Sequence, residues 1–217
     1  METAFFLREA IDHDVFDYQT LTQVLGSSYS KTRDVTARLA KEGVLIRIRK
    51  GLYTFAEELR RHPVSREYLA NLIYGPSCVS LDYALGYYSL IPEKVLTVTS
   101  VCMGRSREFS TPFGVFSYRM LKQERYSTGI SIVRTRNVSF MMASAEKALI
   151  DKVWTDGRVG RTAPGHWKKY LEDDLRIDTD MLSVFSMNAI SRFAEVYNSE
   201  KIFSFASFLE RYLEGKQ

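Results

Sequence analysis

SSYSKTRDVTARLAKEGVLIRIRKGLYTF, Ser27 to Phe55, decides how the N-terminal part of this chain folds. Helical spacing puts Thr32, Val35, Thr36 and Leu39 on one inward stripe, Ser30, Ala37 and Lys41 opposite, and Arg33 and Arg38 on the flanks. Ser27 or Ser28 can cap this helix, so the free amides of its first turn lie with Ser28, Tyr29, Ser30 and Lys31. Gly43 suits the left-handed position that ends a helix, and Lys41 in the last turn suits the dipole. Val44 to Arg49 then alternates as a strand. Leu45, Arg47 and Arg49 share one face, with Val44, Ile46 and Ile48 on the other, so the arginines are expected to project together. Lys50-Gly51 makes a tight turn, and Leu52 to Phe55 returns as a second strand.

A helix followed by a basic hairpin suits a phosphate backbone. Upstream, Phe5, Phe6, Ala10 and Ile11 suggest a first helix, and Tyr18, Leu21, Val24 and Leu25 a second ending at Gly26. Three helices and a hairpin make a winged helix-turn-helix, whose third helix enters the major groove. The expected DNA contacts are therefore Ser28, Tyr29, Ser30, Lys31, Arg33, Arg38, Lys41, Arg47, Arg49 and Lys50. Asp34 is discordant on such a face, since a carboxylate there must accept from a cytosine amino group or repel phosphate.

Charge is local. The net charge is only +4, yet residues 28 to 51 hold seven Lys or Arg against two acids. That argues for an oriented binding face over general stickiness towards polyanions. With 217 residues, 45% of them hydrophobic, the chain can bury a core, and two domains are the expected division. The boundary falls in the charged run Glu57 to Pro63, giving residues 1–62 and 63–217.

Beyond the boundary the pattern changes. A helix through Tyr68, Leu69, Leu72 and Ile73 leads to PSCVSLDYALGYYSLIP, read as a second helix capped by Ser80 and stopped by Pro92. Val95 to Val101, Val115 to Met120, Ile130 to Arg134 and Val138 to Met142 read as strands of a small antiparallel or mixed sheet. Ser144 caps ASAEKALIDKVW, where Lys147 and Asp151 read as a surface ion pair. Aromatic stripes around Trp167, Phe193 and Phe205 read as core-facing C-terminal helices. The fold class is α+β, a winged helix-turn-helix followed by a mixed α/β domain that ends in helices.

A second basic stretch, Arg105, Arg107, Arg119, Lys122, Arg125, Arg134 and Arg136, could extend a DNA footprint, meet an acidic partner or RNA, or simply be solvated. Catalysis is not expected. The three histidines lie in separate segments, no nucleophile elbow or phosphate loop is present, and Glu146, Lys147 and Asp151 lack the further acids a metal nuclease needs. Cys78 and Cys102 lack metal spacing and read as buried free thiols. No cofactor or metal is expected. The opening METAFFLREAIDHD has no basic segment before an apolar run, and no stretch reaches membrane-spanning length, so a cytoplasmic protein without a membrane partner is expected.

IRIRKGLYTF after a helix-turn-helix, then PSCVSLDYALGYYSLIP, then ASAEKALID, resembles the AbiEi family of type IV toxin-antitoxin antitoxins from phage-defence loci, over roughly residues 5 to 155. The resemblance implies an N-terminal winged helix that binds double-stranded operator DNA and represses its own operon. It also implies a following domain that neutralises a cognate nucleotidyltransferase-like toxin, with or without direct contact. The alternative is a plain winged-helix transcriptional regulator.

Overall fold

The computed structural model of the chain describes residues 2–26, 31–159 and 164–214. It is an α+β molecule with a three-stranded and a six-stranded sheet.

The first helix, α1 (Glu2–Ala10), forms where expected but turns a different face inward. Ala4, Leu7 and Ile11 are buried, whereas Phe5 is 61% and Phe6 42% exposed. Adjacent helical residues lie about 100° apart, so two neighbouring phenylalanines cannot both sit on one narrow stripe. The 4-7-11 spacing wins. A short strand, β1 (Val15–Asp17), leads into α2 (Tyr18–Gly26), and Asp17 caps that helix by accepting from Thr20 N and Oγ, both at 2.8 Å.

The third helix, α3 (Thr32–Lys41), starts later than the sequence suggested, with Lys31 at the N-cap. The proposed caps Ser27 and Ser28 lie outside the described residues. Gly43, at φ +74°, ends α3. Gly43 N donates to Ala40 O at 3.3 Å and Val44 N to Leu39 O at 2.9 Å, the paired bonds of a Schellman cap. Strands β2 (Leu45–Arg49) and β3 (Leu52–Phe55) make the hairpin, with Gly51 at φ +85° in its turn. β3 lies between β1 and β2. Leu7, Ile11, Leu21, Leu25, Leu39, Leu45 and Phe55 form the small core, where the Phe16 and Phe55 rings lie 4.8 Å apart.

The alternation expected for β2 breaks at its end. Arg47 pairs with Tyr53 but Arg49 with Leu52, so Ile48 and Arg49 together oppose one residue across a β-bulge. Arg47 and Arg49 therefore do not project together. Ile48 turns inward and, with Val15 and Leu52, joins the larger core of the second part. The segments divided near Pro63 thus share apolar contacts.

After a 3-10 turn (Glu57–Leu59), Ser65 caps α4 (Arg66–Ile73) by accepting from Tyr68 N at 3.1 Å. The helix expected after Ser80 begins there, with Ser80 at its N-cap, but an unforeseen strand precedes it. β4 (Ser77–Val79) precedes α5 (Leu81–Tyr87), which stops short of Pro92. The large sheet adds β5 (Val98–Cys102), β6 (Arg107–Thr111), β7 (Gly114–Met120), β8 (Ile130–Arg134) and β9 (Ser139–Ala143). Its order is β6-β7-β5-β4-β9-β8, with β4–β9 and β5–β7 parallel and the rest antiparallel. A single pair, Val79 with Met142, joins β4 to β9, and Asn71 reinforces it. Its side chain accepts from Met141 N at 2.6 Å and donates to Ser77 O and Met141 O at 3.3 Å.

The short helix α6 (Gln123–Ser127) joins β7 to β8. α7 (Ala145–Thr155) begins at the expected cap, Ser144, which accepts from Lys147 N at 3.2 Å. The chain continues through α8 (Pro164–Lys169), a π-type turn (Tyr170–Asp174), α9 (Met187–Tyr197) and α10 (Glu200–Glu214). Trp167, Phe193, Tyr197 and Phe205 are buried as the helical spacing indicated, in the same core as α7 and the large sheet. Cys78 and Cys102 are buried and free. Among the described residues no helix is long and apolar enough to cross a membrane.

Candidate nucleic-acid interface and buried polar cluster

Leu39 and Thr36 anchor α3 to the small core, and Leu45 with Phe55 anchors the hairpin. Between them runs a groove of about 630 Å³. Arg33, Thr36, Ala37 and Ala40 line it from α3, and Arg47, Lys50 and Gly51 from the hairpin. Small side chains on the helix leave its floor open. Arg33, Arg47 and Lys50 make no ion pair with any described residue, so three cations face an accessible concavity without neutralisation. That arrangement attracts a polyanion.

The other candidate contacts are dispersed. Lys31 and Lys41 are exposed at the two ends of α3. Arg38 leans towards Glu42 at 3.8 Å, an exposed pair that contributes little to stability. Ser28, Tyr29 and Ser30 lie outside the described residues. Arg49 is withdrawn from the groove: its guanidinium donates to Ile73 O and lies 5.6 Å from the centre of the Phe109 ring, fastening the hairpin to the large sheet. Asp34 has a local explanation. It sits in the first turn of α3, where the helix dipole favours a carboxylate.

The seven cations of the second basic stretch do not form one surface. Arg105, Arg107, Arg119 and Lys122 gather near the β6–β7 edge, whereas Arg134 and Arg136 lie at β8, the opposite edge. Five strand spacings separate those edges, roughly 24 Å. Arg125 belongs to neither group. It lies 4.0 Å from the Trp154 ring centre and donates to Tyr197 O at 2.5 Å.

The surface ion pair expected at Lys147 and Asp151 is buried, both side chains being 0% exposed. Lys147 Nζ donates to Asp151 Oδ1 at 3.0 Å, to Tyr197 Oη at 3.1 Å and to Arg125 O at 2.8 Å, so all three ammonium hydrogens have acceptors. Asp151 also accepts from the Tyr197 hydroxyl and, through Oδ2, from Ser80 Oγ at 2.6 Å. Ser80 thus sits at the N-cap of α5 but gives its hydroxyl to this cluster instead of capping. Burial, followed by the neighbouring Asp151 carboxylate, pushes the Tyr197 hydroxyl pKa far up. Glu146, the remaining acid considered for nuclease chemistry, is used elsewhere and accepts from Ser186 N at 3.2 Å. Sequence spacing signalled the Lys147–Asp151 pair, but nothing local signalled Tyr197 and Ser80.

Asp156 forms a further polar centre. It accepts from Arg158 Nε at 3.0 Å and Nη2 at 2.7 Å and from the Tyr170 hydroxyl at 3.2 Å. The Arg158 side chain, more than any other group, holds this carboxyl well below the usual carboxylate range. No protein-family model matches the chain, and no curated protein sequence does.

Proposed function

We propose that the chain is a winged-helix DNA-binding protein that represses its own operon, with α3 as the reading helix and the β2–β3 hairpin as the wing. The groove carrying Arg33, Arg47 and Lys50 supports this reading most directly, because it presents cations that make no ion pair among the described residues, from a helix and a hairpin about an open concavity. The order of three helices and a hairpin agrees with it. On the AbiEi resemblance, the domain built on the large sheet serves as an antitoxin that opposes a nucleotidyltransferase-type toxin encoded alongside.

The DNA reading is tested by titrating the full chain with duplex from just upstream of its own gene across a range of salt concentrations. Each phosphate contact contributes about 0.9 to the logarithmic salt slope. Arg47→Ala should reduce the slope by about that amount, while Arg49→Ala should leave it unchanged because Arg49 faces Ile73. An unchanged affinity in Arg33→Ala/Arg47→Ala/Lys50→Ala would refute the assignment. The antitoxin role is tested separately, by asking whether that triple variant still rescues cells from the neighbouring gene's product. Lack of rescue by the unsubstituted chain would leave a plain regulator.

A further inference from the structure

We propose that β8, the open edge of the large sheet, is a docking strand for an extended segment of a partner protein, apolar at its centre and acidic at one end. β8 closes the sheet and pairs with β9 alone. Its register continues past both ends of the strand, where Ser144 N donates to Gly129 O and Thr135 N to Val138 O, each at 2.9 Å. Bonded and non-bonded pairs alternate in an antiparallel ladder, so Ser131 and Val133 also bond β9, while Ile130, Ile132 and Arg134 turn their N–H and C=O groups outward. Met141, opposite Ile132, agrees: its amide and carbonyl face away from β8 and are taken by the Asn71 side chain. The outward groups of alternate residues are a template for one more strand.

Side chains decide the kind of strand. On one face Ile132 is 63% exposed. On the other, Tyr87 is 47% exposed, and its ring centre lies 6.5 Å from that of Phe140, the register partner of Val133. A strand laid about 4.8 Å beyond β8 would cover apolar groups on both faces. At the end of β8, Arg134 shares the face of Ile132, and Arg136 follows in the turn to β9. Both are exposed, neither makes an ion pair with a described residue, and no Asp or Glu occurs from Arg125 to Ala145. Asp12 and Asp14, which share a cleft of about 350 Å³ with Asn137 and Ser139, are already held by Arg61 and Arg8. A second copy of β8 would bring these arginines no acid, and a phosphate backbone offers nothing to Ile132 or to the outward carbonyls. An acidic strand engages all of these groups.

The edge offers this site whether or not the α3 groove binds DNA. A displayed library of random peptides is selected on the full chain and counter-selected on Ile132→Pro, after circular dichroism shows that this variant is folded. Proline suits the position because the Ile132 N–H takes no part in pairing with β9, yet it removes the central outward donor. Enriched peptides should alternate β-branched or aromatic residues with polar ones and carry Asp or Glu towards one end. A synthetic peptide of the enriched sequence should bind about tenfold or more weakly to Ile132→Pro and to Arg134→Glu/Arg136→Glu. Arg33→Ala/Arg47→Ala/Lys50→Ala should bind it unchanged. Hydrogen exchange tests the same edge without a variant: in the free chain the Ile132 and Arg134 amides should exchange fast and those of Ser131 and Val133 slowly, and the peptide should slow the first two. No enrichment over Ile132→Pro, enrichment of peptides without acids, or an Ile132 amide that stays fast in the complex would overturn the proposal. So would a dimer of the free chain that Ile132→Pro dissolves, which would mark a second copy as the occupant. Loss of arbitrary-sequence duplex DNA binding in Arg134→Glu/Arg136→Glu but not in Ile132→Pro would equally overturn it, by marking a phosphate contact.

Discussion

Replacing Lys147 by Met keeps most of the buried volume but removes the ammonium that satisfies Asp151, Tyr197 and the Arg125 carbonyl. Asp151 would keep its bonds from Ser80 and Tyr197 but lose its only contacting cation among the described residues. Breaking a buried ion pair from one side costs about 3–5 kcal/mol, because a charge is left without compensation. Against a total stability of about 5–15 kcal/mol, that is a large share. For a chain of this size each kcal/mol moves Tm by about 2–4 °C, so Lys147→Met should melt about 6–20 °C lower. The companion Lys147→Met/Asp151→Asn removes both charges and keeps an amide oxygen to accept from the hydroxyls. It should be more stable than Lys147→Met alone, giving a coupling energy of about 2 kcal/mol in the double-mutant cycle. Urea unfolding followed by circular dichroism and by fluorescence of Trp154 and Trp167 measures each term. A loss below about 1 kcal/mol for Lys147→Met, or losses that simply add, would refute the reasoning.

The orientation of α1 gives a sharper test of packing: Leu7→Ala should cost about 2–5 kcal/mol and Phe5→Ser less than about 0.5 kcal/mol in the same assay, and the reverse order would mean the helix faces the other way. Asp156 should make the fold acid-sensitive. Its carboxyl is lowered from the ordinary value of 3.8, so its contribution is fully present above that value and is lost as pH falls towards the lower folded pKa. Urea midpoints measured from about pH 5 downward should therefore fall more steeply for the wild type than for Asp156→Asn, and parallel curves would remove Asp156 from the account.

The helix and hairpin were legible because their signals are local. Gly43 and Gly51 occupy positive φ where the sequence placed turns, and Leu39 marks the buried side of α3, whereas Leu45, expected on the face of the arginines, is buried while Val44 and Ile46 are only half-buried. The bulge was hidden, since Arg47-Ile48-Arg49 continues an unbroken alternation and Ile48 is drawn inward only by the second core. β4 was hidden for a related reason: three residues buried on both faces show no period. The Lys147–Asp151 spacing suits an exposed helix as well as a buried one. What buries it is Tyr197, 46 residues beyond Asp151 in sequence, together with Ser80 from the other side. A contact made across such separations leaves no trace in either local stretch.

The bulge in β2 also works as an evolutionary setting that a single codon can change. While Ile48 and Arg49 together oppose Leu52, the terminal arginine of the strand is an anchor, and the hairpin moves only with the body behind it. Gain of one residue between Leu52 and Tyr53, opposite Ile48, would restore plain pairing and return that arginine to the side of Arg47. The descendant would gain a cation in the groove and lose the guanidinium's hold on Ile73 and Phe109. Within a lineage, grip on a polyanion and attachment of the hairpin can therefore be exchanged by an indel, with no new side-chain chemistry.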